Sequence, residues 1–137
     1  MMNNRPFSIW IVTTVRESAW APLCVVGFYA VGLIFHLYLK YPNIDIPTHI
    51  IGGMAITYFY RGAIKNSQGL LGTIPLPIQI LLAFTAAGTT AVFWEFYENI
   101  FDFLFGTHMV LGLFDTLKDL FDGILGALVL SLFYRER

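Results

Sequence analysis

Charge is what this sequence has least of. Asp, Glu, Lys and Arg make up 12% of its 137 residues, about half of the ~25% usual in soluble domains. The charges nearly cancel, leaving a net charge of -1. A chain so close to neutral has no basic field for nucleic acid and no general attraction to an anionic surface. Cysteine is almost missing as well. The single Cys24 excludes an intramolecular disulfide and any multi-cysteine metal site, and its apolar surroundings predict an inert packing thiol. No repeat or low-complexity tract is present. No small-residue cleavage site follows the amino terminus with its Arg5 and Arg16, so the first apolar run reads as an uncleaved anchor.

Apolar surface is what the chain has in excess. Hydrophobic residues reach 57% and aromatics 17%, more than a water-soluble fold of this size can hide. Four apolar segments are separated by turn-forming or charged residues, which predicts an all-α polytopic membrane protein. The whole chain, 1–137, forms one transmembrane domain with four spans at about 19–40, 46–63, 77–104 and 113–134, each near the ~20 residues a bilayer needs. Arg61 is expected to reach the interface through its long stem, and the stretch from Lys65 to Pro77 to be the longest loop. Asp45 is the expected N-cap of the second helix, with Pro47 in its first turn. The first eighteen residues, which hold Phe7, Ile9, Trp10, Ile11 and Val12, suit a short interfacial helix. Tyr58, Tyr60, Trp94, Tyr97 and Tyr134 stand near segment ends, where aromatic belts form.

The basic residues set the orientation. Arg5 and Arg16 precede the first span, Arg61 and Lys65 lie between the second and third, and Arg135 and Arg137 follow the fourth, against Lys40 and Lys118 elsewhere. The positive-inside rule then puts both termini in the cytoplasm. Of nine acidic residues only Glu17 and Glu136 fall on that side, while Asp45, Glu95, Glu98, Asp102, Asp115, Asp119 and Asp122 lie toward the other, with His36, His49 and His108.

Spacing gathers these groups onto faces. Asp45 and His49 are i,i+4; Glu95, Glu98 and Asp102 are i,i+3,i+7; Asp115, Asp119 and Asp122 are i,i+4,i+7, so each set shares one side of a helix. Carboxylates inside a membrane are costly and face the bundle interior. Three inward acidic faces need neutralisation by Lys118, the histidines, protons or a metal. Carboxylates with imidazole suit divalent Mg, Mn, Zn or Fe, with Asp45, His49, Glu95, Glu98, Asp115 and Asp119 as ligands and Glu95, Glu98 and Asp119 as the catalytic candidates. Asp122 has a structural alternative in pairing with Lys118. Gly52, Gly53, Gly123, Gly126 and Ala127 are read as close-packing residues, and Thr85, Thr89 and Thr90 as bonding back to their own helix.

The series Asp45-x-x-x-His49-x-x-Gly52, Trp94-Glu95-x-x-Glu98 and Asp115-Thr116-x-x-Asp119 with Gly126-Ala127 resembles the YjdF-type bacterial inner-membrane family. More loosely it is similar to the VanZ-like family, and Glu95, Glu98, Asn99 and Lys118-Asp119 faintly resemble the small bacterial diacylglycerol kinase. The resemblance implies a multi-pass protein of the bacterial cytoplasmic membrane without a settled activity. VanZ-like proteins are associated with glycopeptide tolerance, but Ile46 and Glu98 depart from their pattern and that role is not carried over.

Three functions follow as expectations. The first is a metal-dependent enzyme acting on a lipid or lipid-phosphate headgroup. The second is a non-catalytic subunit of a membrane complex, or a homo-oligomer. The third is an ion or proton pathway, disfavoured because the cytoplasmic half is nearly all apolar. Membrane lipids are the expected partners in each, and nucleic acid in none.

Overall fold

A computed structural model describes residues 6–133 of the protein. Arg5, Tyr134, Arg135, Glu136 and Arg137, which the sequence reading used for orientation and for an aromatic belt, lie outside the described residues. The described part is all helical: α1 (Phe7–Ser18), α2 (Trp20–Ile34), α3 (Leu37–Lys40), α4 (Asp45–Leu71), α5 (Leu76–Phe105) and α6 (Leu113–Phe133), with a 3-10 turn at Pro42–Ile44.

The interior of this bundle is small and polar, and its exterior is large and apolar. The buried apolar residues are Ala21, Tyr29, Ala55, Ala83, Ala87 and Ala127, beside buried Thr14, Ser18, Thr57, Arg61, Gln79, Glu95, Glu98, Asp119, Asp122 and Ser131. Leu81, Phe93, Phe96, Ile100 and Phe103 project outward from α5. That is the reverse of a protein folded in water, and it suits a hydrocarbon solvent. Among the described residues, one helix, α5, is long and apolar enough to cross a membrane, and α1 with α2 meets the same test as a pair bent by 56°.

The bend has a local cause. Pro22 has no N–H for the Ser18 carbonyl, and its ring crowds that turn. The preceding segment therefore breaks away at Ala19 as α1, the helix expected near the amino terminus. It lies on the last turns of α4, where the Trp10 Nε1 donates to the Ala63 carbonyl at 2.8 Å and the Asn66 amide donates to Glu17 at 3.2 Å.

The first expected span, about 19–40, is interrupted early. His36 adopts φ 54, a left-handed conformation that ends α2, and the chain restarts as α3. Tyr38 is thereby folded back over Gly32, where any Cβ would collide with its ring, and its ring packs at a tilt against that of Tyr29, 5.7 Å away.

α4 runs further than the sequence suggested. Lys65, Asn66, Ser67 and Gln68 were expected in a loop, but polar residues mark a solvated helix face as readily as a turn. The actual stop is Gly72, at φ 86, followed by Pro75, so the loop shrinks to 72–75. Asp45 does not cap this helix. The cap position is Ile44, and the Asp45 carboxylate is used elsewhere. Pro47 does fall in the first turn.

α4 packs most closely on α6. A Cβ on Gly53 would strike the Gly123 carbonyl, and one on Gly126 would strike that of Ile50, so only glycine permits this approach. Gly53, Thr57 and Arg61 recur every four residues on this face. The Arg61 guanidinium is carried inward, with the residue 1% exposed, instead of reaching the interface. Cys24, by contrast, is exposed on α2 rather than packed. The threonines behave as expected: Thr85, Thr89 and Thr90 donate to the carbonyls of Leu81, Thr85 and Ala86 at 2.9 Å.

Candidate functional site

The first turns of α4 and α6 and the last third of α5 meet at one end of the bundle and place four carboxylates around one imidazole. Asp45 and His49 share a face of α4 one turn apart, and His49 Nε2 lies 3.3 Å from Asp45 Oδ1 and 3.9 Å from Asp119 Oδ1. Ligand atoms of Asp45, His49 and Asp119 all lie within 4.8 Å of one another, and so do those of His49, Glu95 and Glu98. His49 is the hinge between the two groups.

The two groups differ in how their charge is met. Lys118 Nζ donates to Asp45 Oδ2 at 2.8 Å and to Asp119 Oδ1 at 2.6 Å, so an ammonium already occupies the cation position of the first group. It also ties the start of α4 to α6. The Asp122 partner expected for Lys118 is displaced by this geometry. Asp122 is buried one turn further along, and its Oδ2 has no hydrogen-bond partner.

Among the described residues, the second group has no such cation. Glu95 and Glu98 are 4% and 5% exposed, and Glu95 Oε2 is buried without a hydrogen-bond partner among the described residues. Glu98 receives the Tyr29 hydroxyl on Oε1 at 2.8 Å. Tyr29 was missed in the sequence. Its signal was a lone phenol inside the apolar run of α2, where a hydroxyl has no water to bond and must find a partner. Trp94 is likewise drawn into the bundle, with its ring 4.9 Å from that of Tyr29.

The remaining expected residues lie apart. Asp115 accepts from the Leu111 N–H at 3.1 Å and joins neither group. α4 and α6 run in the same direction with Asp45 beside Lys118, so Asp115, three residues earlier, stands above the start of α4 and has nothing to meet there. Asp102 organises the α5–α6 loop by accepting the Met109 and Val110 N–H groups at 2.8 Å and the Thr107 hydroxyl. His36 and His108 belong to neither group.

Among the described residues, four carboxylates thus face one ammonium and one imidazole. In a water-poor interior that excess must be removed by protons or by a further cation, because an unpaired buried charge costs several kcal/mol. The arrangement can do two things chemically: hold a divalent ion, or tie three helices together through shared protons and Lys118.

Comparison with known proteins gives one match. The family model described as "Predicted membrane protein (DUF2238)" covers residues 5–136. No curated protein and no solved structure matches. The chain belongs to this family of predicted membrane proteins, whose function is unknown, and the YjdF-type resemblance is consistent with it.

Proposed function

We propose that this protein is a multi-pass inner-membrane protein that holds a divalent cation between His49, Glu95 and Glu98 and acts with it on a lipid or lipid-phosphate headgroup. One observation carries the reading: Glu95 Oε2 is a buried carboxylate oxygen with no hydrogen-bond partner, beside a second buried glutamate and an imidazole. The neighbouring carboxylate pair has Lys118, so of the two groups this is the one whose charge is unmet. Mixed oxygen and imidazole donors favour Mg, Mn, Zn or Fe.

Such an ion supplies Lewis acidity toward a phosphoryl or carbonyl oxygen. The protein's share is positional. Tyr29 fixes the Glu98 carboxylate, Asp45 orients the His49 ring, and Asp119 with Lys118 holds α6 against α4 so that both groups keep their spacing. At ~1.5 Å per residue, α4, α5 and α6 are about 40, 45 and 32 Å long, enough for a ~30 Å hydrocarbon core. With the bent α1–α2 pair they supply four spans, and Arg16 and Lys65 support cytoplasmic termini.

Metal analysis of the detergent-purified protein tests the reading. Stoichiometric metal that is lost in Glu95→Gln is the expected result. Protein that stays metal-free after equilibration with Mg, Mn, Zn and Fe ends it. A second reading is favoured by Lys118, which spends its charge on joining α4 to α6: the cluster then serves as a helix tie in a non-catalytic subunit. Recovery of one defined membrane complex, with no metal, is its signature.

A further inference from the structure

A cavity of about 100 Å³ opens beside the cation group, lined by α2, α4, α5 and Gly123 of α6. Its walls are similar in length. It runs from Pro22 to Tyr29 on α2, from Thr48 to Ile56 on α4, and from Ala87 to Trp94 on α5. These intervals of seven or eight residues are roughly 10–12 Å at 1.5 Å per residue. The cavity is therefore a slot along the helix axes, with His49 and Tyr29 at one end and Pro22, Ile56 and Ala87 at the other.

The slot offers almost nothing to a polar solute. The Thr90 hydroxyl donates to Ala86 and also pairs with Tyr60, the Thr48 hydroxyl donates to Ile44, and Tyr29 donates to Glu98. The other lining residues are Val25, Val26, Gly52, Gly53, Ile56, Ala87, Ala91, Trp94 and Gly123 with Pro22. Polar chemistry is confined to the His49 end. On the outside, Val26 is 47% exposed at the edge of the slot. α2 leans on α4 and stands off from α5, meeting it through Tyr29 against Trp94 and Glu98.

We infer that this slot takes one hydrocarbon chain of a membrane lipid, which enters between α2 and α5 and presents its polar group at His49. The inference rests on the proposed reading of the cation group and adds where its substrate's tail lies. A chain parallel to the helices has the orientation of lipid in a leaflet, and a slot with apolar walls is favourable for hydrocarbon and unfavourable for water.

Gly52 supplies the obstruction for a test. A Cβ there would lie 3.7 Å from Val25, so Gly52→Leu projects into the slot without meeting backbone. Val26→Trp blocks the edge from the surface and leaves the helix contacts alone. The protein is reconstituted in phosphatidylethanolamine–phosphatidylglycerol vesicles carrying a trace of phosphatidylglycerol with a diazirine in one acyl chain, irradiated, and mapped by peptide mass spectrometry. Wild type is expected to be labelled at Val25, Ile56 and Ala87. Both variants should lose that labelling several-fold, while outward-facing Leu81 and Phe93 stay labelled. Slot labelling that is absent in wild type, or unchanged in both variants, overturns the inference. Metal content read on the same samples separates the two ideas: labelled, metal-free wild type ends the metal reading and leaves the tail site standing.

Discussion

Replacing Glu95 by Met should make the metal-free protein more stable. Glu95 Oε2 is buried with no hydrogen-bond partner, and the residue shares a group with Glu98 and His49. An unsatisfied buried polar group costs about 1–3 kcal/mol, more when charged, whereas Met is of similar length and adapts to irregular space. Glu95→Met should therefore gain about 1–3 kcal/mol in chelator, a sign opposite to that of most substitutions. Added metal changes the order. A ligand at a hundred times its Kd stabilises the folded state by ~2.7 kcal/mol, which wild type would gain and the variant would not. The assay is reversible unfolding in mixed micelles by added denaturing detergent, followed by circular dichroism, once in EDTA and once in Mn. Wild type that is more stable than Glu95→Met in EDTA, with no gain in Mn, refutes the reasoning and makes Glu95 a structural tie.

The other expectations concern the supports of the site. Gly126→Ala should destabilise by about 1–3 kcal/mol through overpacking, since its Cβ would meet the Ile50 carbonyl. Gly88→Ala, in open space on α5, should be neutral or stabilising by up to ~1 kcal/mol; equal effects in the same unfolding assay would count against the close α4–α6 contact. Asp102→Ala removes two backbone hydrogen bonds to a carboxylate, each worth about 1.5–3 kcal/mol. Amide exchange at Met109 and Val110 should accelerate while α5 stays protected, and unchanged exchange would exclude the clasp. Lys118→Met leaves Asp45 and Asp119 without their ammonium. It should destabilise by roughly 1–3 kcal/mol, less than the 3–5 of a fully buried pair because the Lys118 and Asp45 side chains are 30% and 27% exposed. Millimolar Mg should restore part of the loss, and a variant as stable as wild type without Mg would show the pair to be dispensable.

Much of the site was legible because carboxylates in an apolar sequence have few places to go. Asp45, His49, Glu95, Glu98 and Asp119 came together as their helical spacing suggested. Asp115 shares that spacing and stayed out, since periodicity fixes a face and not the relative height of two helices. That height is set by tertiary contacts between Asp45 and Lys118 and between Gly53 and Gly123. Arg61 was misplaced for a related reason. Hydropathy takes an arginine near a span end as an interfacial residue, but the side chain is buried within the bundle, with the residue 1% exposed. The polar run after Lys65 was taken for a loop because polarity, unlike Gly72 and Pro75, does not end a helix. Tyr29 carried a signal, a lone phenol in an apolar run, but which group it serves follows only from the Glu98 carboxylate on another helix.

The glycine contact and the charged cluster are parts of one device. Gly126 sits under the carbonyl of Ile50, the residue after His49, and a Cβ on Gly123 would lie 4.0 Å from the His49 carbonyl itself. The backbone that carries the shared imidazole is therefore pressed directly on α6, where Asp119 and Lys118 stand. In a soluble core, apolar side chains would hold such an approach. Here the same side chains face outward, toward a solvent as apolar as themselves, and give little drive for helices to associate. Close backbone packing, the Lys118 bridge and the Tyr29–Glu98 hydrogen bond must supply it. Any change that separates α4 from α6 should then disperse the carboxylates as well as weaken the fold.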